Sequence, residues 1–176
     1  MKHFIIGTSG SGKTPFAKAL AASTGLPYVS AGAWARERFP CPAGMEREQY
    51  IRYITDASTE ALAKDPDLAY RSILARIGPE GAVIDGVRNP RDFARLFDPR
   101  VGGDRAYRMT YGNNTLPVTR FEEGIEVIEA YAYWLIDAGI MEDAGRYRTY
   151  RYDRYWDREC GDRESSLERL IREAAR

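Results

Sequence analysis

The sequence is poor in the residues that build most metal and nucleophile sites: one histidine, His3, and two cysteines, Cys41 and Cys160, in 176 residues. With the only histidine inside the first predicted strand, neither histidine-based catalysis nor a histidine-rich metal site is expected. Two cysteines so far apart suggest neither a disulfide framework nor a zinc site, so a reducing compartment is the default. No apolar run approaches the ~18 residues that would span a membrane, and no signal-peptide pattern opens the chain. A soluble, intracellular protein with no membrane partner is therefore expected. An excess of one charge is also missing, since 26 basic side chains balance 26 acidic ones. That excludes a generic nucleic-acid coat, whose affinity comes from a global basic excess, while leaving a local basic groove open. Internal repeats and low-complexity segments are absent as well.

What is present describes one ordinary globular domain, residues 1–176, at 44% hydrophobic and 30% charged residues. A chain of this length can bury a continuous core without covalent staples. Short apolar runs at His3–Ile6, Pro27–Ser30, Gly81–Asp85, Arg105–Tyr111 and Tyr147–Tyr152 read as strands. Between them, helical spacing covers Lys13–Ser23, Gly32–Phe39, Glu46–Lys64, Asp67–Ile77, Asn89–Phe97 and Thr119–Ala138, and a last helix is expected over Arg163–Ala175. Strands alternating with helices imply a mostly parallel sheet with right-handed crossovers.

The first strand runs into Gly7-Thr8-Ser9-Gly10-Ser11-Gly12-Lys13-Thr14, which satisfies GxxxxGK[ST] in the strand–loop–helix setting that the motif requires. Glycines at Gly7, Gly10 and Gly12 let backbone N–H groups, with those of Ser9 and Ser11, turn inward around phosphates at a helix N-terminus. Lys13 is expected to reach the β- and γ-phosphates of ATP, and Thr14 to offer a hydroxyl to Mg²⁺. The expected fold is therefore a three-layer α/β P-loop NTPase fold, a central, mostly parallel five-stranded sheet flanked by helices.

A second constellation is Ala82-Val83-Ile84-Asp85-Gly86-Val87-Arg88, which puts an acid at the carboxyl end of an apolar strand. Ligands of open parallel sheets sit outside those strand ends. Asp85 can serve there as a Mg²⁺ holder through water or as the base for an acceptor hydroxyl, and the sequence leaves both roles open. Arg88 and Arg91 are placed for phosphate oxygens. The plainer alternative makes Asp85 a helix cap and both arginines surface ion-pair partners.

Tyr28-Val29-Ser30-Ala31-Gly32-Ala33-Trp34-Ala35-Arg36 resembles the Ser/Thr-Gly-x-x-x-Arg segment of nucleoside monophosphate kinases. Val83–Arg88 resembles their Asp-Gly-Phe-Pro-Arg segment and the Asp-x-Arg segment of phage deoxynucleoside monophosphate kinases. The resemblance runs to about residue 97 and implies an acceptor pocket lined by Ser30 and Gly32, with Arg36 and Arg88 clamping an acceptor phosphate. The sequence departs from that family in two places. The arginine follows Asp85 by three residues, with Val87 where the family has phenylalanine, and no lid with paired arginines is evident between Tyr111 and Arg146.

Arg146–Arg158 holds five arginines, five aromatics and two aspartates, a locally basic stretch in a neutral chain. Such a segment can stack bases and follow a nucleic-acid backbone, or form an edge strand packed on the last helix. In size and motifs the chain also resembles phage P-loop kinases that phosphorylate 5-hydroxymethyluracil in DNA, which implies a host-cytoplasmic location. Three functions stay open: transfer from ATP, with Mg²⁺, to a hydroxymethylated base in DNA; a free nucleoside monophosphate kinase; and a non-catalytic nucleotide-binding switch.

Overall fold

The computed structural model describes residues 1–8, 11–98, 104–110, 123–137 and 147–151. Five strands, β1 (Lys2–Gly7), β2 (Tyr28–Ser30), β3 (Ala82–Asp85), β4 (Arg105–Thr110) and β5 (Tyr147–Arg151), form one sheet in the order β2-β3-β1-β4-β5. Every pairing between these strands is parallel. The helices are α1 (Lys13–Thr24), α2 (Ala33–Arg38), α3 (Arg47–Lys64), α4 (Leu68–Leu74), α5 (Pro90–Leu96) and α6 (Glu123–Asp137). Helix α4 stops three residues short of the expected Ile77, because Arg76 and Ile77 turn into tight bonds to the Ile73 and Leu74 carbonyls. The helix expected over Arg163–Ala175 lies outside the described residues.

Alternation along β1 makes the sheet two-sided. Phe4 and Ile6 face α4, α5 and α6, packing with Ile73, Phe93, Phe97 and Ile128, all buried. Ile5 faces the other way, with Val83, Tyr107 and Met109, against Phe16, Ala17 and Leu20 of α1. The result is the expected three-layer P-loop NTPase fold, helix–sheet–helix. Each fully buried large side chain contributes roughly 1.5–3 kcal/mol by removal from water. Among the described residues, no helix is long and apolar enough to cross a membrane.

Strand β1 occupies the centre, with β3 and β2 on one side and β4 and β5 on the other. The chain thus reverses its direction of travel across the sheet at β1, and a switch point of this kind opens a crevice at the carboxyl ends of the strands. Gly7 belongs there. Its φ is 145°, and a Cβ would lie 2.3 Å from the Met109 carbonyl oxygen, so only glycine lets β1 run this close to β4 before entering the loop.

His3 is fully enclosed beneath this arrangement. Its Nδ1 is 3.2 Å from the Tyr107 hydroxyl, the two rings stack at 5.8 Å, and Nε2 has no hydrogen-bond partner. Burial, helped by Arg105 and the N-terminal ammonium and opposed by Asp104, lowers the imidazole pKa to about 4. The unfolded chain therefore takes up a proton on His3 before the folded one does. Stability should fall as pH drops from about 6.5 to about 4, with this residue accounting for about 3 kcal/mol. Urea unfolding of the wild type and His3→Gln at pH 7 and pH 5 checks this: the variant should lose less stability between the two than the wild type.

Candidate active site at the strand ends

Parallel pairing sets Ser30 beside Asp85 and Asp85 beside Ile5, so the ends of β2, β3 and β1 form a single ledge. The ledge is tied together by backbone bonds from Ala31 N–H to the Asp85 carbonyl (2.8 Å) and from Gly86 N–H to the Ile5 carbonyl (2.9 Å). Helix α1 starts directly above it. Its N-cap is Gly12, in the left-handed region at φ 84°, and the hydroxyl of Ser11 is buried without a hydrogen-bond partner. Ser9 and Gly10 lie outside the described residues. An orphaned hydroxyl beside a glycine-capped helix N-terminus fits a loop built to meet phosphate oxygens.

Lys13 is buried, and its ammonium donates to the Thr8 carbonyl across the loop. A lysine buried at the start of α1 puts its positive charge beside the phosphate loop. The Thr14 hydroxyl donates to Asp85 Oδ2 at 2.7 Å, and the Tyr28 hydroxyl donates to the same oxygen at 3.0 Å. Burial and the neighbouring Asp85 carboxylate raise the Tyr28 phenol above its usual pKa, so it remains a donor. The other oxygen, Asp85 Oδ1, is buried with no partner. Asp85 is thus not a helix cap. Two donors fix Oδ2, and Oδ1 is left for a cation or a proton. The Thr14 oxygen and the carboxylate together are the hard-oxygen ligands that Mg²⁺ accepts.

From this ledge a cleft of about 940 Å³ extends toward α2 and α3. Ser30, Gly32, Arg36 and Arg88 all line it, as do Lys13, Thr14 and Asp85. Arg36 donates to the Ser30 hydroxyl, and Gly32 permits that geometry: a Cβ there would stand 3.1 Å from the Arg36 guanidinium. The apolar stripe of α3 faces the cleft, with Tyr50, Ile51, Ile54 and Leu62 on its wall, and Ser58 is that helix's only fully buried residue.

Arg91 goes elsewhere. Three residues beyond Arg88, in the first turn of α5, it points to the surface, pairs with Asp67 at 3.1 Å and is not part of the cleft lining. Sequence reasoning also missed several cleft residues. Lys18 and Arg47 add positive charge, and Tyr28 steadies Asp85. Asp92 of α5 lines the cleft although it is almost completely buried. Burial pushes its carboxyl above the usual carboxylate range, against the opposing pull of Arg95 and Arg91.

Of the Arg146–Arg158 segment, only the backbone of residues 147–151 is described. It forms β5, which pairs with β4 at the edge opposite β2. The interval between Tyr111 and Arg146 that the resemblance would give to a lid lies outside the described residues, apart from α6. On α6, Glu126 is exposed, while Glu129 turns inward to pair with Arg108. Tyr131 packs on the core and Tyr133 is half exposed.

No protein-family model and no curated protein matches the sequence. Solved structures do match in fold. Shikimate kinase from Aquifex aeolicus is 13% identical, with 99% of this chain and 94% of that one covered, at a TM-score of 0.52. Shikimate kinase from Acinetobacter baumannii, solved with shikimate, is 11% identical over 98% and 89% of the two chains, at a TM-score of 0.50.

Proposed function

We propose that this protein is a P-loop phosphotransferase that moves the γ-phosphoryl group of ATP to a nucleotide-type acceptor held in the cleft between α2, α3 and α5. The observation that carries the reading is the continuity of two half-sites. A phosphate loop with a buried lysine opens directly into a pocket that holds Arg36, Arg47 and Arg88. A volume of about 940 Å³ is that of a small-molecule site, suited to one nucleotide. That the solved neighbours are kinases, one of them solved with a small hydroxylated acid, fits the same reading.

In this scheme the acceptor oxygen forms a bond to the γ-phosphorus as the bond from that phosphorus to the β–γ bridging oxygen breaks, leaving ADP. Lys13 and Arg88 neutralise charge on the oxygens of the transferred group. Thr14 and Asp85 are the residues that would hold Mg²⁺, which would supply positive charge against the triphosphate. A hydroxyl acceptor must also lose a proton, and Asp85 Oδ1 is the free basic atom on the ledge.

For the acceptor, the finer proposal is the hydroxymethyl group of 5-hydroxymethyluracil in DNA. Its supports are the resemblance of size and motifs and the basic, aromatic composition of Arg146–Arg158. Strand β5 also ends on the same side of the sheet as Gly7, since Gly7 pairs with Met109 and Met109 with Tyr150. A specific observation favours a second acceptor, a free nucleoside monophosphate: Arg36 is held by Ser30 inside the cleft, where it suits a terminal phosphate. The two separate in one experiment. Labelled ATP is offered in parallel with deoxynucleoside monophosphates, unmodified DNA and hydroxymethyluracil-containing DNA. The DNA reading expects label only on the modified DNA, with binding to single strands that weakens as salt rises by a slope near −0.7 per phosphate contact. Label on a free monophosphate, lost in Arg36→Ala, would establish the second reading and end the first.

A further inference from the structure

Besides Asp85 on the ledge, the described residues include two buried carboxylates, Asp92 and Asp104, whose surroundings differ. Asp104, at the foot of β4, is fully served: it accepts from the Lys2 backbone N–H at 2.9 Å and the Asp98 N–H at 3.0 Å, and it pairs with the Lys2 ammonium at 2.9 Å. Asp92 is 2% exposed, and its Oδ1 has no hydrogen-bond partner. The cations nearest in sequence do not repair this. Arg91 and Arg95 both pair with Asp67, and Arg95 also lies over the Tyr70 ring at 3.6 Å. Nor does Asp92 cap α5, whose cap is the Asn89 side chain accepting from Arg91 N–H at 3.0 Å. A buried acceptor atom without a partner costs stability, and the fold gains nothing visible in return.

Asp92 also lines the cleft, whose wall includes the apolar Trp34, Ile51, Ile54 and Ile73 and the polar Thr55 and Ser58, besides the arginines already assigned to an anion. We infer that Asp92 is a specificity-determining residue of the acceptor pocket, its Oδ1 accepting a hydrogen bond from an N–H or O–H group of the acceptor molecule. The pocket then selects a compound with three features: an anionic group for the arginines, a flat or apolar body for the α3 wall, and a hydrogen-bond donor for Asp92. A nucleobase with a ring or exocyclic N–H meets the second and third together. The inference rests on the proposed phosphotransfer, and it names the group on the acceptor that is read.

The test uses the full chain, with the deoxynucleoside monophosphate or hydroxymethyluracil oligonucleotide that the wild type phosphorylates best, and an N-methylated form of the same acceptor. In Asp92→Leu, close in size but without polar atoms, the acceptor KM should rise by about 10–100-fold, while kcat and the KM for ATP stay close to wild type. The wild type should reject the N-methylated acceptor, and Asp92→Leu should no longer distinguish it from the parent. Thermal unfolding should show Asp92→Leu to be more stable than the wild type, because an unserved carboxylate has been removed. An unchanged acceptor KM in a folded Asp92→Leu protein overturns the inference, as does a fall in stability, which would give Asp92 a structural partner. Should Asp92→Leu fail to fold, Asp92→Asn decides: it should fold and show a smaller rise in acceptor KM, and an unchanged KM there also overturns the inference. Absence of turnover by the wild type with every acceptor would remove the phosphotransfer reading and this inference with it.

Discussion

Lys13→Met should lower phosphoryl transfer by about 10³-fold or more, the scale on which single charge-stabilising donors act in such transfers. Read from the sequence, Lys13 lies on the loop and outside the core, so that Lys13→Ala would remove transfer and leave the fold intact. The structure buries it, with its ammonium against the Thr8 carbonyl. Methionine is therefore the better replacement, because it keeps the buried stem and removes the charge. The apo-variant should remain folded, since methionine retains the buried stem. Thermal unfolding without nucleotide, together with single-turnover transfer from labelled ATP, measures both halves. Normal transfer by the folded variant would mean that the loop does not handle the γ-phosphate.

The second large effect is expected at Asp85. With Oδ2 held by Thr14 and Tyr28, an asparagine can keep both of those bonds and present its NH₂ group where Oδ1 now stands. The substitution thus changes one atom's chemistry while preserving the frame. Transfer should fall by about 10²–10⁴-fold. Because the NH₂ group repels a cation, the Mg²⁺ concentration for half-maximal rate should rise in Asp85→Asn. The size of the loss then separates the acceptors. A hydroxyl acceptor needs Oδ1 as a base and should show the full loss, whereas a phosphate acceptor is already anionic near neutral pH and should lose less. Full activity in Asp85→Asn at ordinary Mg²⁺ would leave neither role in place.

Much of the frame was legible because its signals are local. GxxxxGK[ST] between an apolar run and a helical pattern fixes β1, the loop and α1 within a dozen residues, and the carboxylate closing Ala82–Asp85 marks the ledge. What pairs with what across the chain was not. Nothing near Thr14 shows that its hydroxyl meets Asp85, 71 positions away, or that Tyr28 shares that oxygen. Periodicity in Tyr50, Ile51, Ile54 and Leu62 identifies a covered face but not its cover, which turns out to be a cleft. Arg91 reads with Arg88 as placed for phosphate oxygens because both follow Asp85 closely. Its place inside the first turn of α5 sends it to Asp67 instead. Asp92 was invisible for the opposite reason: an acid in the first turn of a helix is ordinary, and only tertiary burial makes it unusual.

The central place of β1 also governs how the chain is made. Lys2 pairs with Ala82 and His3 with Arg105, so the strand that carries the phosphate loop is synthesised long before either neighbour exists. At ribosomal speeds of 5–20 residues per second, roughly 4–16 s separate the synthesis of β1 from that of β3. Throughout that interval the Phe4-Ile5-Ile6 segment has two open edges and two apolar faces, the conditions under which a strand recruits foreign partners. ATP cannot protect it, because a ligand that binds only the assembled loop stabilises only chains that have already closed the sheet. Yield in a recombinant host should therefore respond to chaperone supply and slower translation, while nucleotide added after lysis should come too late.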